Sequence, residues 1–299
     1  MLDVDIGKLH LKNPLILASG ILDESGETML RIAKNGAGGI VTKSIGKEPR
    51  EGYENPVVYE LPCGLLNAMG LPNPGIENYK DEIKIAKEGG VPIIGSIFGS
   101  NPEEFSYLAK KMEDYGADAV ELNLSCPHAK GYGMEVGTDL ELVEEIINSV
   151  KRAVKIPVWA KLTPNTNNIV EIAKAAENAD AFVLINTLKA MAIDIDAKRP
   201  VLKNVFGGLS GKAIKPIGVR AVYEVYREIE KPIIGVGGIE NGRDAIEYIM
   251  AGASAVEIGT ALYTRGIEVF KEIAKEIEEW MNENGYSKIS DIVGIAQVR

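Results

Sequence analysis

Residues 93–126 read IIGSIFGSNPEEFSYLAKKMEDYGADAVELNLSC, and this stretch holds one complete strand–helix–strand unit. Ile93–Ile97 is a short apolar run of the kind that forms a buried strand. Asn101, Pro102 and Glu104 then open a helix, with an amide that caps the first turn and a proline that the first turn tolerates. Ala119–Leu122 is a second apolar run, and polar Asn123-Leu-Ser-Cys126 follows it. Working outward, the same alternation recurs along the chain. Further strand candidates are Leu15–Ala18, Gly39–Thr42, Val158–Lys161, Phe182–Ile185, Ile233–Val236 and Ala255–Ile258. Strands that alternate with helical patterns mark parallel βα units, and eight of them predict an α/β chain closed into a (β/α)8 TIM barrel. An open doubly wound sheet is the alternative, and the lack of an obvious crossover switch favours closure.

In the helix after the fourth strand, Leu142, Val143, Ile146, Ile147, Val150 and Val154 fall on one face, and Thr138 with Glu141 forms a candidate capping box. Two connections are too long for simple turns, Ser44–Asn78 after the second strand and Thr187–Pro216 after the sixth. The loop after the fourth strand is also long. All should overhang the same end of the barrel and carry function. Val4–Ile6 and Leu9–Leu11, separated by Gly7-Lys8, read as an N-terminal hairpin able to plug the opposite end. No linker or low-complexity tract interrupts residues 1–299, so one domain is expected.

With 45% apolar residues and 25% charged, the chain has material for a large core. A net charge of −10 argues against nucleic acid or anionic membrane as a partner, because phosphate binding needs clustered Lys and Arg. The start, MLDVDIGKLHLKNPLILASG, lacks the pattern of a secretion signal, and no long apolar span follows, so a cytoplasmic chain is expected. Two cysteines, Cys63 and Cys126, are too few for a four-cysteine zinc site or a cysteine-ligated iron–sulfur cluster, and no metal site is expected. A lone disulfide between them stays open, since hyperthermophiles form such bonds inside cells. Gln297 is the only glutamine among abundant Lys, Glu and Ile, a composition that points to a heat-adapted source.

Active sites of such barrels lie at the C-terminal ends of the strands. Here Ser19-Gly20 follows the first strand, Lys43-Ser44 the second and Asn123 to Cys126 the fourth; Lys161 ends the fifth, and Asn186-Thr187 follows the sixth. Any one could be a bland rim residue; five converging strands are the signal. Gly235-Val-Gly237-Gly238 after the seventh strand and Gly259-Thr260 after the eighth stand where barrels bind phosphate through backbone N–H groups. The bland reading of these glycines is tight turns alone. Gly235-Val-Gly237 runs on to Glu240 rather than to a third glycine, so a Rossmann dinucleotide site is not expected.

Lys43-Ser44, Asn67-Ala-Met-Gly-Leu-Pro-Asn-Pro-Gly75, Asn123-Leu-Ser-Cys-Pro127 and Asn186-Thr187 together resemble the class 1 dihydroorotate dehydrogenases over essentially the whole chain. Glu48-Pro-Arg-Glu-Gly52 and the stretch from Lys130 to Asp139 resemble the B subgroup, which passes electrons to NAD through a second subunit. The resemblance implies oxidation of (S)-dihydroorotate to orotate in pyrimidine (UMP) biosynthesis, with one FMN per chain. It implies FMN contacts from Ser19, Lys43, Ser44, Asn123, Lys161, Ile185, Gly211, Gly237, Gly238, Gly259 and Thr260, the last four at the phosphate. It places the substrate against Lys43, Asn67, Ala68, Met69, Gly70, Leu71, Asn123, Asn186 and Thr187, and it makes Cys126 the base. It further implies a homodimer core within a heterotetramer, whose partner subunit carries FAD and a [2Fe–2S] cluster. Two positions depart from the family pattern: His128 stands where Asn is usual, and Ser96 where an Asn near the flavin is common. Cys63 is expected to be structural.

The residue chemistry agrees with that reading. The oxidation removes a proton from C5 and a hydride from C6, so a base must face the flavin across the substrate, and an accessible thiolate can serve. Asparagine amides offer a donor and an acceptor each to the alternating C=O and N–H groups of a pyrimidine. Lys161 would place positive charge beside the flavin; a strand-end lysine equally suits a Schiff base, which defines a cofactor-free aldolase as the alternative. A fumarate-linked homodimer of the A subgroup is a second alternative. A tRNA-reducing flavin barrel is a third, disfavoured by the negative charge.

Overall fold

The computed structural model describes residues 1–124 and 136–298. Eight parallel strands, Leu15–Leu17, Gly39–Val41, Ile93–Ile97, Ala119–Asn123, Val158–Leu162, Ala181–Leu184, Ile233–Val236 and Ala255–Ile258, form a closed barrel in which each pairs with its neighbours in chain order. Closure is completed by the eighth strand on the first, with Val256 opposite Leu15 and Ile258 opposite Leu17. All eight fall within about a residue of the runs read from the sequence, because strands covered on both faces show as continuous apolar stretches.

Helices follow every strand and pack outside it. Pro102–Tyr115 begins where the sequence indicates, the Asn101 side chain accepting from the Glu104 N–H, and ends on left-handed Gly116. Leu140–Ala153 buries Val143, Ile146, Ile147 and Val150, as its spacing predicts. Its cap differs from the expectation: Asp139, not Thr138, accepts from the N–H of Leu142, and Thr138 closes a short 3-10 turn just before. Both side chains can cap, and the 3-10 turn carries the chain one residue further before the α-helix starts.

The N-terminal hairpin pairs Val4 with Leu11 and Ile6 with Leu9 around left-handed Gly7. Ile6 and Leu11 are buried against inward-facing Ile16, Val41, Ile94, Trp159, Ala181 and Ile234, so the hairpin closes the bottom of the barrel with apolar side chains. At the other end the long connections after the second and sixth strands pair with each other. Their strands form one antiparallel sheet in the order Leu188–Ala190, Gly207–Ser210, Gly64–Asn67, Val58–Leu61. Leu66, Ala68, Val201 and Leu202 form a small core beneath it. The sheet requires Gly64, where a Cβ would lie 1.9 Å from the Ser210 carbonyl oxygen.

Leu11→Ala removes a fully buried side chain from the barrel plug. It is expected to cost about 2–5 kcal/mol of unfolding free energy, measured by chemical denaturation. A loss below about 1 kcal/mol would show that the hairpin does not plug the barrel.

Candidate active site

The strand ends and the overhanging sheet enclose a cavity of about 430 Å³. Its wall is built from Ser19 and Gly20 after the first strand, Lys43 and Ser44 after the second, Asn123 and Lys161 on the fourth and fifth, and Ile185, Asn186 and Thr187 after the sixth. Gly237, Gly238, Glu257, Gly259 and Thr260 complete it from the seventh and eighth. Asn67, Met69, Gly70, Leu71, Ser210 and Gly211 reach it from the two long connections.

Ser44 is a junction of this wall. Its hydroxyl lies 3.3 Å from that of Ser19 and 2.8 Å from that of Ser96, and it accepts from the Asn123 amide at 3.1 Å. The Asn186 amide in turn donates to Asn123 Oδ1 at 3.2 Å, and Asn186 Oδ1 accepts from the Thr187 N–H. Five elements are thereby tied into one hydrogen-bonded layer, which fixes the amides before any ligand enters.

Beneath this layer lies a buried ion cluster. Lys161 Nζ donates to Glu257 Oε2 at 2.9 Å and to Glu121 Oε1 at 3.3 Å, with both carboxylates fully enclosed. Burial works to lower the lysine pKa, but the two carboxylates more than reverse this, so the pKa is raised and the ammonium keeps its charge. Burial also pushes Glu257 well above the usual carboxylate range, and Glu121 adds to the rise while Lys161 only partly opposes it. The Ser96 hydroxyl, 3.4 Å from Glu121 Oε1, joins this cluster to Ser44.

Lys43 is also buried, and its charge acts on buried Asp23. Burial raises the Asp23 pKa, with Lys43 and the Gly20 N–H acting to lower it. Asp23 therefore organises the loop after the first strand and Lys43 together. In the 67–75 motif, Asn73 is the tie: it donates to the Leu71 carbonyl and accepts from the N–H groups of Gly75 and Gly46. That clamp holds Leu71 at φ +57°, a left-handed conformation unusual for leucine, in the cavity wall.

The glycines on the far side form a cradle. Gly238, at φ +70°, could not carry a Cβ, which would meet the Gly211 carbonyl oxygen at 2.6 Å. Gly259 is different, because a Cβ there would meet only that of Ala18, at an ordinary 3.6 Å. Among the described residues nothing crowds a Cβ at 259, so glycine there leaves room for a close approach from the cavity. The N–H groups of Gly238, Gly259 and Thr260 make no hydrogen bond among the described residues. Backbone amides left open on a cavity wall are the donor set that an anionic group such as phosphate takes.

The dihydroorotate dehydrogenase family model matches residues 1–281. The chain belongs to the dihydroorotate dehydrogenase family. It is 59% identical over 295 residues to the "Dihydroorotate dehydrogenase B (NAD(+)), catalytic subunit" of Thermoplasma acidophilum, covering 99% of this chain and 98% of the relative. Proteins of the same name from Pyrococcus furiosus and Methanocaldococcus jannaschii are 55% and 53% identical; the alignments cover 98% and 99% of this chain, and 98% of each relative.

Of the residues that the family resemblance singles out, all eleven expected at the cofactor line the cavity. So do those expected at the substrate, except Ala68, which is fully buried in the small core under the roof. Extended backbone turns alternate residues to opposite sides, so Asn67 and Met69 face the cavity and Ala68 cannot. Cys126 and His128 lie outside the described residues. Ser96 is buried below the wall rather than on it, as the link between Ser44 and Glu121. Cys63 has an exposed thiol in the turn of the first overhanging hairpin, so it does not serve by packing; its carbonyl accepts from Ala213. Glu121, Glu257 and Asp23 escape the sequence reading. A glutamate inside each of two otherwise apolar strands, with a lysine in a third, was the available signal, because buried charges must pair.

Lys161→Met leaves two buried carboxyl groups without the cation between them. It is expected to lower stability by about 3–5 kcal/mol at neutral pH. Because burial holds the Glu257 pKa raised, the folded form gains stability as pH falls and protons neutralise the pair, so the deficit should shrink in acid. Urea denaturation across a pH series measures this; a deficit constant with pH would contradict it.

Proposed function

We propose that this cavity binds FMN and oxidises (S)-dihydroorotate to orotate, the redox step of pyrimidine (UMP) biosynthesis, with Cys126 as general base. The reading takes residues 1–299 as one FMN-binding barrel domain. The observation that carries it is a glycine-lined amide cradle at one end of the cavity and a buried, charged lysine at its floor, in a chain of this family. FMN, when bound, supplies the acceptor for the hydride that leaves C6.

The chain's own residues do the rest. The amides of Gly238, Gly259 and Thr260, with Gly237, hold the phosphate. Lys161, charged and fixed by its two carboxylates, would stabilise negative charge on the bound ring. Asn67, Asn123 and Asn186 orient the pyrimidine through paired donor and acceptor atoms, and Lys43 takes the substrate carboxylate. Cys126, three residues beyond Asn123, removes the C5 proton as a thiolate, so activity should rise with pH as the thiol ionises.

By likeness to relatives named as catalytic subunits of an NAD(+)-linked enzyme, electrons pass to NAD through a partner. We assign that partner the FAD and [2Fe–2S] cluster, and this chain a homodimer core in a heterotetramer. A fumarate-linked homodimer is the rival, and turnover of the isolated chain with fumarate would support it. The aldolase alternative fits poorly, because a Schiff base needs a neutral amine and Lys161 is held as an ammonium.

Two variants test the reading. Cys126→Ala should retain FMN while reduction by dihydroorotate slows by about 10²-fold or more in stopped-flow measurements; near-wild-type reduction would remove Cys126 as the base. Gly259→Val should fold, since a Cβ at this position meets only one ordinary contact among the described residues, yet lose FMN. Retention of FMN by a folded Gly259→Val protein would overturn the phosphate cradle.

A further inference from the structure

The Lys161 cluster holds two carboxyl groups and one ammonium in the middle of the barrel, and Glu121 and Glu257 are both completely buried. Each gives one oxygen to Lys161. The other oxygen of each, Oε2 of Glu121 and Oε1 of Glu257, has no hydrogen-bond partner among the described residues. The two carboxyl groups are close neighbours, since both reach the same ammonium, at 3.3 Å from Glu121 and 2.9 Å from Glu257. Written as two anions they offer each other only acceptors, and one cation leaves an uncompensated buried charge. A single proton held between them removes both difficulties.

We propose that Glu121 and Glu257 share one proton beneath Lys161, so that the triad is electrically neutral while the lysine stays fully charged at the cavity floor. The proton comes from solvent as the chain folds. The pair are positioning residues: they act through Lys161, aiming its ammonium from both sides without cancelling the field it presents upward. Two ionised carboxylates would instead place a net negative charge under the cofactor site and oppose any anion formed there. Glu257 titrates in the direction this requires, and the groups that face it are Glu121 and Lys161. The flavin-based arm of the test rests on the function proposed above; the infrared arm does not.

The infrared arm uses the whole chain at neutral pH, with Glu121→Gln and Glu257→Gln beside the wild type. The wild type should show the stretch of a buried protonated carboxyl group. Either single variant should lose it, because the remaining glutamate then ionises against Lys161. Absence of the band from the wild type, as for a water bridging two carboxylates, would overturn the proposal, and so would its survival in both variants. In the flavin arm, either single variant leaves the triad neutral, so the reduction potential of bound flavin should stay unchanged. A rise in both single variants would mean that the wild type holds two anions. Glu121→Gln combined with Glu257→Gln should raise the potential if the protein folds; if it does not, the single variants decide. Loss of flavin with the infrared pattern intact would count against the function and leave the shared proton standing.

Discussion

An ammonium cannot sit inside an apolar barrel unless the barrel also supplies its counter-charges, and the placing of Lys161 between Glu121 and Glu257 is the constraint on which this site depends. Three strands that are far apart in sequence each contribute one member, so the cluster exists only when the barrel is closed in the correct register. Below it lies a cluster of buried hydrophobic side chains, from Ile94 and Trp159 down to Ile6 and Leu11 of the plug. Above it Ser44, Asn123 and Asn186 form one linked polar layer in a wall that apolar residues such as Ile185 and Val236 share. The interior is thus graded along its axis from an apolar base to a mouth that carries linked polar groups, with the ion cluster at the boundary.

The mouth is narrowed by a roof that the barrel rule alone does not provide. Hydrogen-bonding of Leu65 to Ser210 and of Asn67 to Gly208 welds the connection after the second strand to that after the sixth. Each connection on its own would be a long irregular loop, whose backbone groups would need water. Paired, they satisfy each other and hold Asn67, Leu71 and Gly211 over the cavity with little conformational freedom left to lose on binding.

Much of this was legible in the sequence, for identifiable reasons. Parallel strands covered on both sides read as apolar runs, so 93–97 and 119–122 announced themselves. Polar residues at their C-terminal ends, such as Lys43, Asn123 and Lys161, stood out because the barrel puts its chemistry there. Other features have no local signature. The roof pairs residues about 140 positions apart, and nothing in the pattern of 58–67 names 207–210 as its partner. Glu121 and Glu257 were hidden inside strands read as apolar, since pattern recognition averages over the one residue that breaks it. Ala68 was carried with its motif neighbours, although the period-two geometry of extended chain turns it away from them.

The central claim is that this cavity couples a bound flavin to the oxidation of dihydroorotate, and it can be tested on the purified wild-type chain without any partner. Anaerobic titration with (S)-dihydroorotate should bleach the oxidised flavin absorbance and release one orotate for each flavin reduced. A chain that carries flavin but shows neither bleaching nor orotate when excess dihydroorotate is added would contradict the account.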